Sequence, residues 1–348
     1  MIELKGVAKQ YLYGARVLGA TDMKIKDGEI IALLGGEQSG KTTLLKVLAG
    51  VTECEGEVLF DGEKLEKKPD DVIMVFDDFA IFENRSCYYN LAYPLKIRGY
   101  GKQEIDDRVK KCADKLGIVA CLYDRAKKTS LIDKKRLAIA RLFLRESKVV
   151  FVDDITRGLD KDEAKTLWDE VAPMLKDMAN SGKIVVFSTR DKGEAISIAD
   201  RLVVMHYREI KQVGSYCEIV QSPSNVWAIE ALDDKYAFEK ATLKQDGDKL
   251  VACLEDGYII DISHLKGRVV ESYISKDVLV GWKSNCYDVL GDRKQKVLFS
   301  SFDGERYTLH TQNAKIVCKD NLKEVGTLPK ADCVCLFDAS NENSIIKD

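Results

Sequence analysis

Gly35-Gly36-Glu37-Gln38-Ser39-Gly40-Lys41-Thr42-Thr43 is the stretch whose reading decides the rest of the chain. The run ahead of it, Glu29-Ile30-Ile31-Ala32-Leu33-Leu34, is apolar and bounded by glycines, the pattern of a buried strand. The run behind it, Leu44-Leu45-Lys46-Val47-Leu48-Ala49-Gly50, has helical period and stops at a glycine. Strand, glycine loop and helix form the setting in which GxxxxGK[ST] binds phosphate. Glycines let successive backbone N–H groups converge on phosphate oxygens, and the helix N-terminus adds partial positive charge. Lys41 would reach the β- and γ-phosphates, and the Thr42 hydroxyl would ligate Mg²⁺. The alternative, a glycine turn that holds nothing, is disfavoured by both flanks. Glu37 and Gln38 depart from the small residues usual in such loops.

Outward from this loop, 348 residues exceed one ordinary domain, so two units are expected. A hydrophobic share of 45% suffices for packed cores, and five prolines argue against long disordered linkers. The net charge of −3 offers no electrostatic footprint for nucleic acid. The first residues alternate like an edge strand and lack a signal peptide's basic and apolar regions, and no run has bilayer-spanning length. Ten cysteines without CxxC spacing read as scattered thiols of a reducing compartment, with Cys333 and Cys335 explained by strand alternation. A cytosolic protein is expected, reaching any membrane by docking.

Apolar runs at 72–76, 149–152 and 184–187 alternate with helical patterns at 104–116, 137–144 and 161–180. Wholly apolar strands between helices predict an α/β fold with a parallel sheet covered on both faces. Past about residue 234 short alternating segments are separated by turn signals such as Gln245-Asp246-Gly247-Asp248 and Asp256-Gly257, which predicts a small all-β domain, an open barrel. The boundary falls near 230–240. Trp282 and Tyr307 suit core packing better than a ligand surface. Asp153, closing an apolar strand downstream of the phosphate loop, suits Mg²⁺, and Asp154 suits a base for water; the alternative is that both cap the turn. Tyr11, shortly before the loop's strand, reads equally as a base-stacking aromatic or as a core or edge tyrosine.

The order of these segments resembles the ATP-binding cassette (ABC) ATPases of membrane transporters, specifically the ATPase subunits of maltose-type sugar importers. The resemblance is carried by the 35–43 loop, Val75-Phe76-Asp77-Asp78-Phe79, Arg136-Leu137-Ala138-Ile139-Ala140-Arg141, Asp153-Asp154-Ile155-Thr156-Arg157-Gly158-Leu159-Asp160 and Phe187-Ser188-Thr189-Arg190-Asp191. Further matches at Ala199-Asp200-Arg201-Leu202, Gln212-Val213-Gly214 and Cys335-Leu336-Phe337-Asp338 extend it over nearly the whole chain. It implies a P-loop NTPase with a RecA-like core over residues 1–235, a helical subdomain at about 86–144, and an OB-like regulatory β-domain over 236–348. It implies ATP and Mg²⁺ as cofactors. Tyr11 would hold the base, with Tyr13 as fallback, Lys41, Thr42 and Asp153 the phosphates and metal, and Ser130 and Asp160 would join the nucleotide set. It also implies two ATPases facing head to tail, permease subunits docked on the helical subdomain, an extracytoplasmic solute-binding protein, and a peripheral place on the membrane's cytoplasmic face.

Four positions depart from that family, all of them catalytic. Asp77 stands where a Gln offers itself to Mg²⁺ and the attacking water; an Asp can still ligate Mg²⁺ but is shorter and adds charge. Asp154 replaces Glu at the base, and a misplacement of ~1 Å can cost on the order of 100-fold in rate. Arg190 replaces the switch His and cannot shuttle protons. Thr129-Ser130-Leu131-Ile132-Asp133 replaces LSGGQ; Ser130 is kept, but Leu131 and Ile132 stand for two glycines whose backbone must approach the γ-phosphate on the partner ATPase. Branched side chains there would block the approach and take glycine-only backbone angles at a cost. The expectation is an importer subunit, for sugars, that binds ATP, hydrolyses it poorly and pairs with a different, catalytically complete ATPase. The alternative is a non-hydrolytic regulatory partner in the same complex. An ATPase acting on nucleic acid is disfavoured by the acidic balance.

Overall fold

The computed structural model describes the chain apart from residues 12, 13, 15, 66–68, 233–235, 270, 284–286, 289–293, 298, 303–306, 311–314, 319–323, 327, 330–333 and 347–348. Contacts divide it into two compact units, Met1–Tyr216 and Cys217–Asp348. In the first unit the strands are β1 (Ile2–Gln10), β2 (Arg16–Ile25), β3 (Ile30–Leu34), β4 (Glu55–Phe60), β5 (Glu63–Lys64), β6 (Val72–Val75), β7 (Val149–Asp153), β8 (Ile184–Thr189), β9 (Arg201–His206) and β10 (Glu209–Gly214). Its helices are α1 (Lys41–Leu48), α2 (Cys87–Ile97), α3 (Lys102–Lys115), α4 (Leu131–Ala140), α5 (Lys161–Asn180) and α6 (Lys192–Ile198).

Six of these strands form a sheet in the order β10-β9-β3-β8-β7-β6, parallel except for β9 with β10. β3, β7 and β8 are buried along their whole length, as strands covered on both faces must be. Because β3, β7 and β8 are neighbours and parallel, their carboxyl ends open on one side, where ligands bind in such sheets. A second, antiparallel sheet, β2-β1-β4-β5, buries Ile2, Leu4, Leu18 and Ile25 against Leu44, Leu45 and Leu48 of α1 and against Ile31 and Leu33 of β3. This core fixes α1 behind the loop that precedes it.

Helices α2, α3 and α4 occupy the stretch expected to be helical. The α4 helix begins at Leu131, six residues before the apolar period predicts a helix from 137. Ser130 is the reason: its Oγ accepts the Asp133 amide hydrogen at 3.2 Å and donates to Asp133 Oδ2 at 2.6 Å, a capping pair that starts the helix. Leu131 and Ile132 therefore have ordinary helical backbone and are absent from the left-handed residues. The expected cost of glycine-only angles at these two positions does not arise; what remains is their bulk.

In the second unit β11 (Tyr236–Asp246), β12 (Lys249–Leu254), β13 (Ile259–Asp261) and β14 (Asp277–Lys283) join Val334–Asp338 in an antiparallel sheet, β13-β12-β11-β14 and then Val334–Asp338. The β11–β12 hairpin pairs Asp246 with Lys249 and turns through Gly247 at φ +58°, as its Asp-Gly signal predicts. Helix Val226–Leu232 packs Val226 and Ile229 on Phe337, so this unit begins after Tyr216, ahead of the boundary near 235 that local pattern suggests. Cys333 and the side chain of Tyr307 lie outside the described residues. The seven described cysteines are free thiols, and no described helix is long and apolar enough to cross a membrane.

Trp282 is fully buried among Leu243, Ala252, Val280 and Leu336, which makes it core and not a ligand surface. Trp282→Ala is expected to cost this unit about 3–5 kcal/mol, read as a lower midpoint in denaturant unfolding. A loss below about 1 kcal/mol would contradict a keystone role for the indole.

Candidate functional site

The loop after β3 curls around its own lysine. Lys41 Nζ donates to the carbonyls of Gly35 (2.6 Å) and Gly36 (2.7 Å) and to Ser39 Oγ (3.2 Å). Ser39 Oγ in turn donates to the Gly36 carbonyl at 2.9 Å. Gly35 is required by close approach, since a Cβ there would lie 2.3 Å from the Met205 carbonyl oxygen; Gly40 is required by its φ of +101°. A Cβ on Gly36 would meet open space, as a loop facing a cavity should show. Burial pulls the Lys41 pKa down, and Asp154 opposes it.

At the end of β7, Asp153 is fully buried. Its Oδ1 accepts from Ser188 Oγ (2.6 Å), opposite it on β8, and from Thr42 Oγ1 (3.1 Å) at the start of α1. Its Oδ2 is buried with no hydrogen-bond partner. Burial pushes the Asp153 pKa up against the pull of the two hydroxyls, and Asp77 and Asp154 push the same way. An orphaned carboxylate oxygen is unfavourable unless something positive meets it. Beside the Thr42 hydroxyl it makes an all-oxygen donor set, which suits Mg²⁺. The residues present therefore fit the metal that the phosphate loop implies.

Three of the four catalytic departures, Asp77, Asp154 and Arg190, meet in one charge network with Glu37. Asp154 turns the chain at φ +40°, a strained angle for a non-glycine residue. Its Oδ2 accepts from Arg190 Nε at 3.1 Å. Arg190 also donates to Glu37 Oε1 at 2.7 Å, and the same oxygen lies 3.8 Å from Arg157, whose other nitrogen donates to Asp77 at 3.1 Å. These groups, with Lys41, Thr42 and Thr43, surround a cavity of about 400 Å³; Asp77 meets it only through Arg157. Arg157 and Ser188 have no role assigned from the sequence alone, although both stand in stretches that carry the resemblance; Arg157 is signalled only as a base in a turn between carboxylates.

The loop carrying Asp77 is itself strained. Phe79 (φ +63°) and Ala80 (φ +43°) are consecutive left-handed residues, and Arg141 Nη1 donates to both carbonyls at 2.9 Å. Buried Asn90 closes the loop by accepting from the Phe82 amide (2.7 Å) and donating to the Phe82 carbonyl (3.1 Å). Lys135 of α4 is 2% exposed, with its ammonium 4.8 Å from the Phe79 ring centre and within the fields of Asp154 and Asp77.

Tyr11 and Asp160, expected to touch nucleotide, stand apart from this cavity, as does Ser130, whose expected nucleotide is the one on the partner ATPase. Tyr11 is exposed, with the Lys9 ammonium 5.1 Å from its ring centre, and Val17 and Arg208 line the cavity instead; Tyr13 is outside the described residues. Ser130 caps α4. Asp160 caps α5 by accepting the amide hydrogens of Asp162 (3.0 Å) and Glu163 (2.9 Å).

Burial holds the Lys135 pKa down at about 8, against the attraction of Asp154 and Asp77. The unfolded chain keeps that proton up to about pH 10. Between the two values the unfolded state binds more protons, so stability should rise with pH from about 8 to about 10. Lys135→Met is expected to abolish that rise and to leave stability at pH 7 unchanged or higher. Urea unfolding at several pH values tests this; an undiminished slope in the variant would contradict the assignment.

The ABC transporter family profile matches residues 18–157. The chain is 34% identical over 231 residues to the sn-glycerol-3-phosphate import ATP-binding protein UgpC of Cupriavidus metallidurans, covering 65% of this chain and 62% of that one. It is 33% identical over 215 residues to the trehalose/maltose import ATP-binding protein MalK of Thermococcus litoralis, covering 59% and 57%. Both matches span less than two thirds of the relative's length. Among solved structures, cbiO1 of Clostridium perfringens, part of the ABC transporter complex cbiONQ, superposes with a TM-score of 0.55 at 25% identity, covering 64% of this chain and 90% of that one. The spermidine/putrescine import ATP-binding protein PotA of Spiroplasma citri is 30% identical over 267 residues, covering 74% of this chain and 75% of its own. With three quarters of such a relative matched, the chain belongs to the ABC transporter ATPases, among the import ATP-binding proteins.

Proposed function

We propose that this chain binds Mg-ATP in the cavity beside the 35–43 loop and couples it to import of a small solute, a sugar, while hydrolysing ATP slowly itself. Lys41 and the loop amides would hold phosphates, and Thr42 and Asp153 would hold Mg²⁺, which supplies charge neutralisation when bound. The sugar rests on the resemblance read from the sequence and on the likeness to MalK. The observation that carries slow hydrolysis is the ion pair between Arg190 Nε and Asp154 Oδ2, at 3.1 Å. At the base position the shortened carboxylate is engaged by a guanidinium, which accepts no proton at any working pH. Asp77, paired with Arg157, adds a second acid-base contact where the family has a neutral amide donor and acceptor.

In this reading the chain works beside a different, catalytically complete ATPase. Its helices α2 to α4 dock on permease subunits at the cytoplasmic face of the membrane, and a solute-binding protein delivers cargo from outside. The same ion pair favours a second reading, in which the chain never turns over ATP and serves as a nucleotide-binding regulatory partner.

The test is ATP binding and steady-state turnover on one preparation of the chain alone. Mg-ATP is expected to bind, Lys41→Ala to abolish binding, and turnover to stay at least about 100-fold below an ordinary rate of about 10 s⁻¹. Ordinary turnover that is lost in Asp154→Asn would overturn slow hydrolysis and establish Asp154 as a working base. No turnover above background would select the regulatory reading.

A further inference from the structure

Glu37 sits in a loop position where a small residue is usual, and its carboxylate turns back toward the cavity. Its Oε1 lies 2.7 Å from Arg190 Nη1 and 3.8 Å from Arg157 Nη2. Both guanidiniums line the same cavity as Lys41 and Thr42. One oxygen shared by two guanidiniums is the arrangement in which arginines hold a phosphate oxygen. Every described cation facing the cavity is already engaged from within the chain: Lys41 by two loop carbonyls, Arg190 by Asp154 and Glu37, Arg157 by Asp77 and Glu37, and Arg208 by the Arg16 carbonyl at 3.1 Å.

We infer that the Glu37 carboxylate is an internal stand-in for the terminal phosphate of a nucleoside triphosphate, held by Arg190 and Arg157 until the triphosphate displaces it. This rests on the reading that nucleotide binds beside the 35–43 loop. Arg157 then becomes a second guanidinium for the terminal phosphate, supplied by the same chain. The latch is exchangeable because Glu37 is more than half exposed and its pairs face solvent, where ion pairs are weak. A diphosphate lacks the group that competes with the carboxylate, so Glu37 tunes discrimination between the two nucleotides and leaves affinity for the shared phosphates alone.

The experiment is calorimetric titration of the full chain with a non-hydrolysable ATP analogue and with ADP, both with Mg²⁺, for the wild type, Glu37→Gln, Glu37→Ala and Arg157→Ala. Removing the Glu37 charge is expected to tighten the triphosphate by about three- to tenfold, the gain of releasing weak exposed pairs. ADP should shift less than twofold. Arg157→Ala should weaken the triphosphate and spare ADP. Equal changes for both nucleotides would mean that Glu37 acts only through the general field of the loop, and weaker triphosphate binding in both Glu37 variants would mean that it supports the loop; either result overturns the inference. If the wild type binds neither nucleotide, or binding survives Lys41→Ala, it is the nucleotide site that fails.

Discussion

The buried carboxylate of Asp153 is the constraint on which the site depends. A fully buried acid would be costly alone, and it persists because Ser188 from the neighbouring strand and Thr42 from the first turn of α1 both donate to one of its oxygens. Those two bonds tie β7, β8 and α1 together at the carboxyl side of the sheet. The loop preceding α1 is thereby held against Met205 of β9 closely enough that only glycine fits at position 35. The second oxygen, left over by this arrangement, is the group that fits a cation there.

Around that invariant chemistry the charges have been rebalanced. The four carboxylates nearest the cavity, Glu37, Asp77, Asp153 and Asp154, are set against Lys41, Arg157, Arg190 and the buried Lys135. In the family pattern the switch position is a titratable imidazole and the loop before the helical segment offers a neutral amide. Here an arginine and a carboxylate stand in those places, Arg190 paired with Asp154 and Asp77 with Arg157. In the proposed reading such a site holds phosphate and metal while Asp154, at the base position, is engaged by Arg190, a cation that cannot relay protons.

Much of this was legible before the structure. Four separate stretches nominated Glu37, Asp77, Asp154 and Arg190, and folding brings three of them into direct contact. Arg157 could not be given a role from the sequence because a turn residue's direction depends on where the next strand lies. Ser188 becomes meaningful only once the parallel register sets it opposite Asp153. The glycine-angle expectation at Leu131 and Ile132 fails because a capping pair three residues apart, Ser130 with Asp133, starts the helix ahead of the apolar period that suggests a later one. The unit boundary was displaced for a different reason. Val226 and Ile229 find their packing partner in Phe337, more than a hundred residues on, and no local pattern carries that information.

Arg141 sits just past α4 and grips two carbonyls of the left-handed turn at Phe79 and Ala80. One guanidinium thus clamps the C-terminal end of α4 to the strand-end loop that bears Asp77, with Asn90 of α2 as the second fastening. The loop bearing Asp77 is fastened to α2 and to the end of α4 by side-chain hydrogen bonds, so its position is set by where those helices lie.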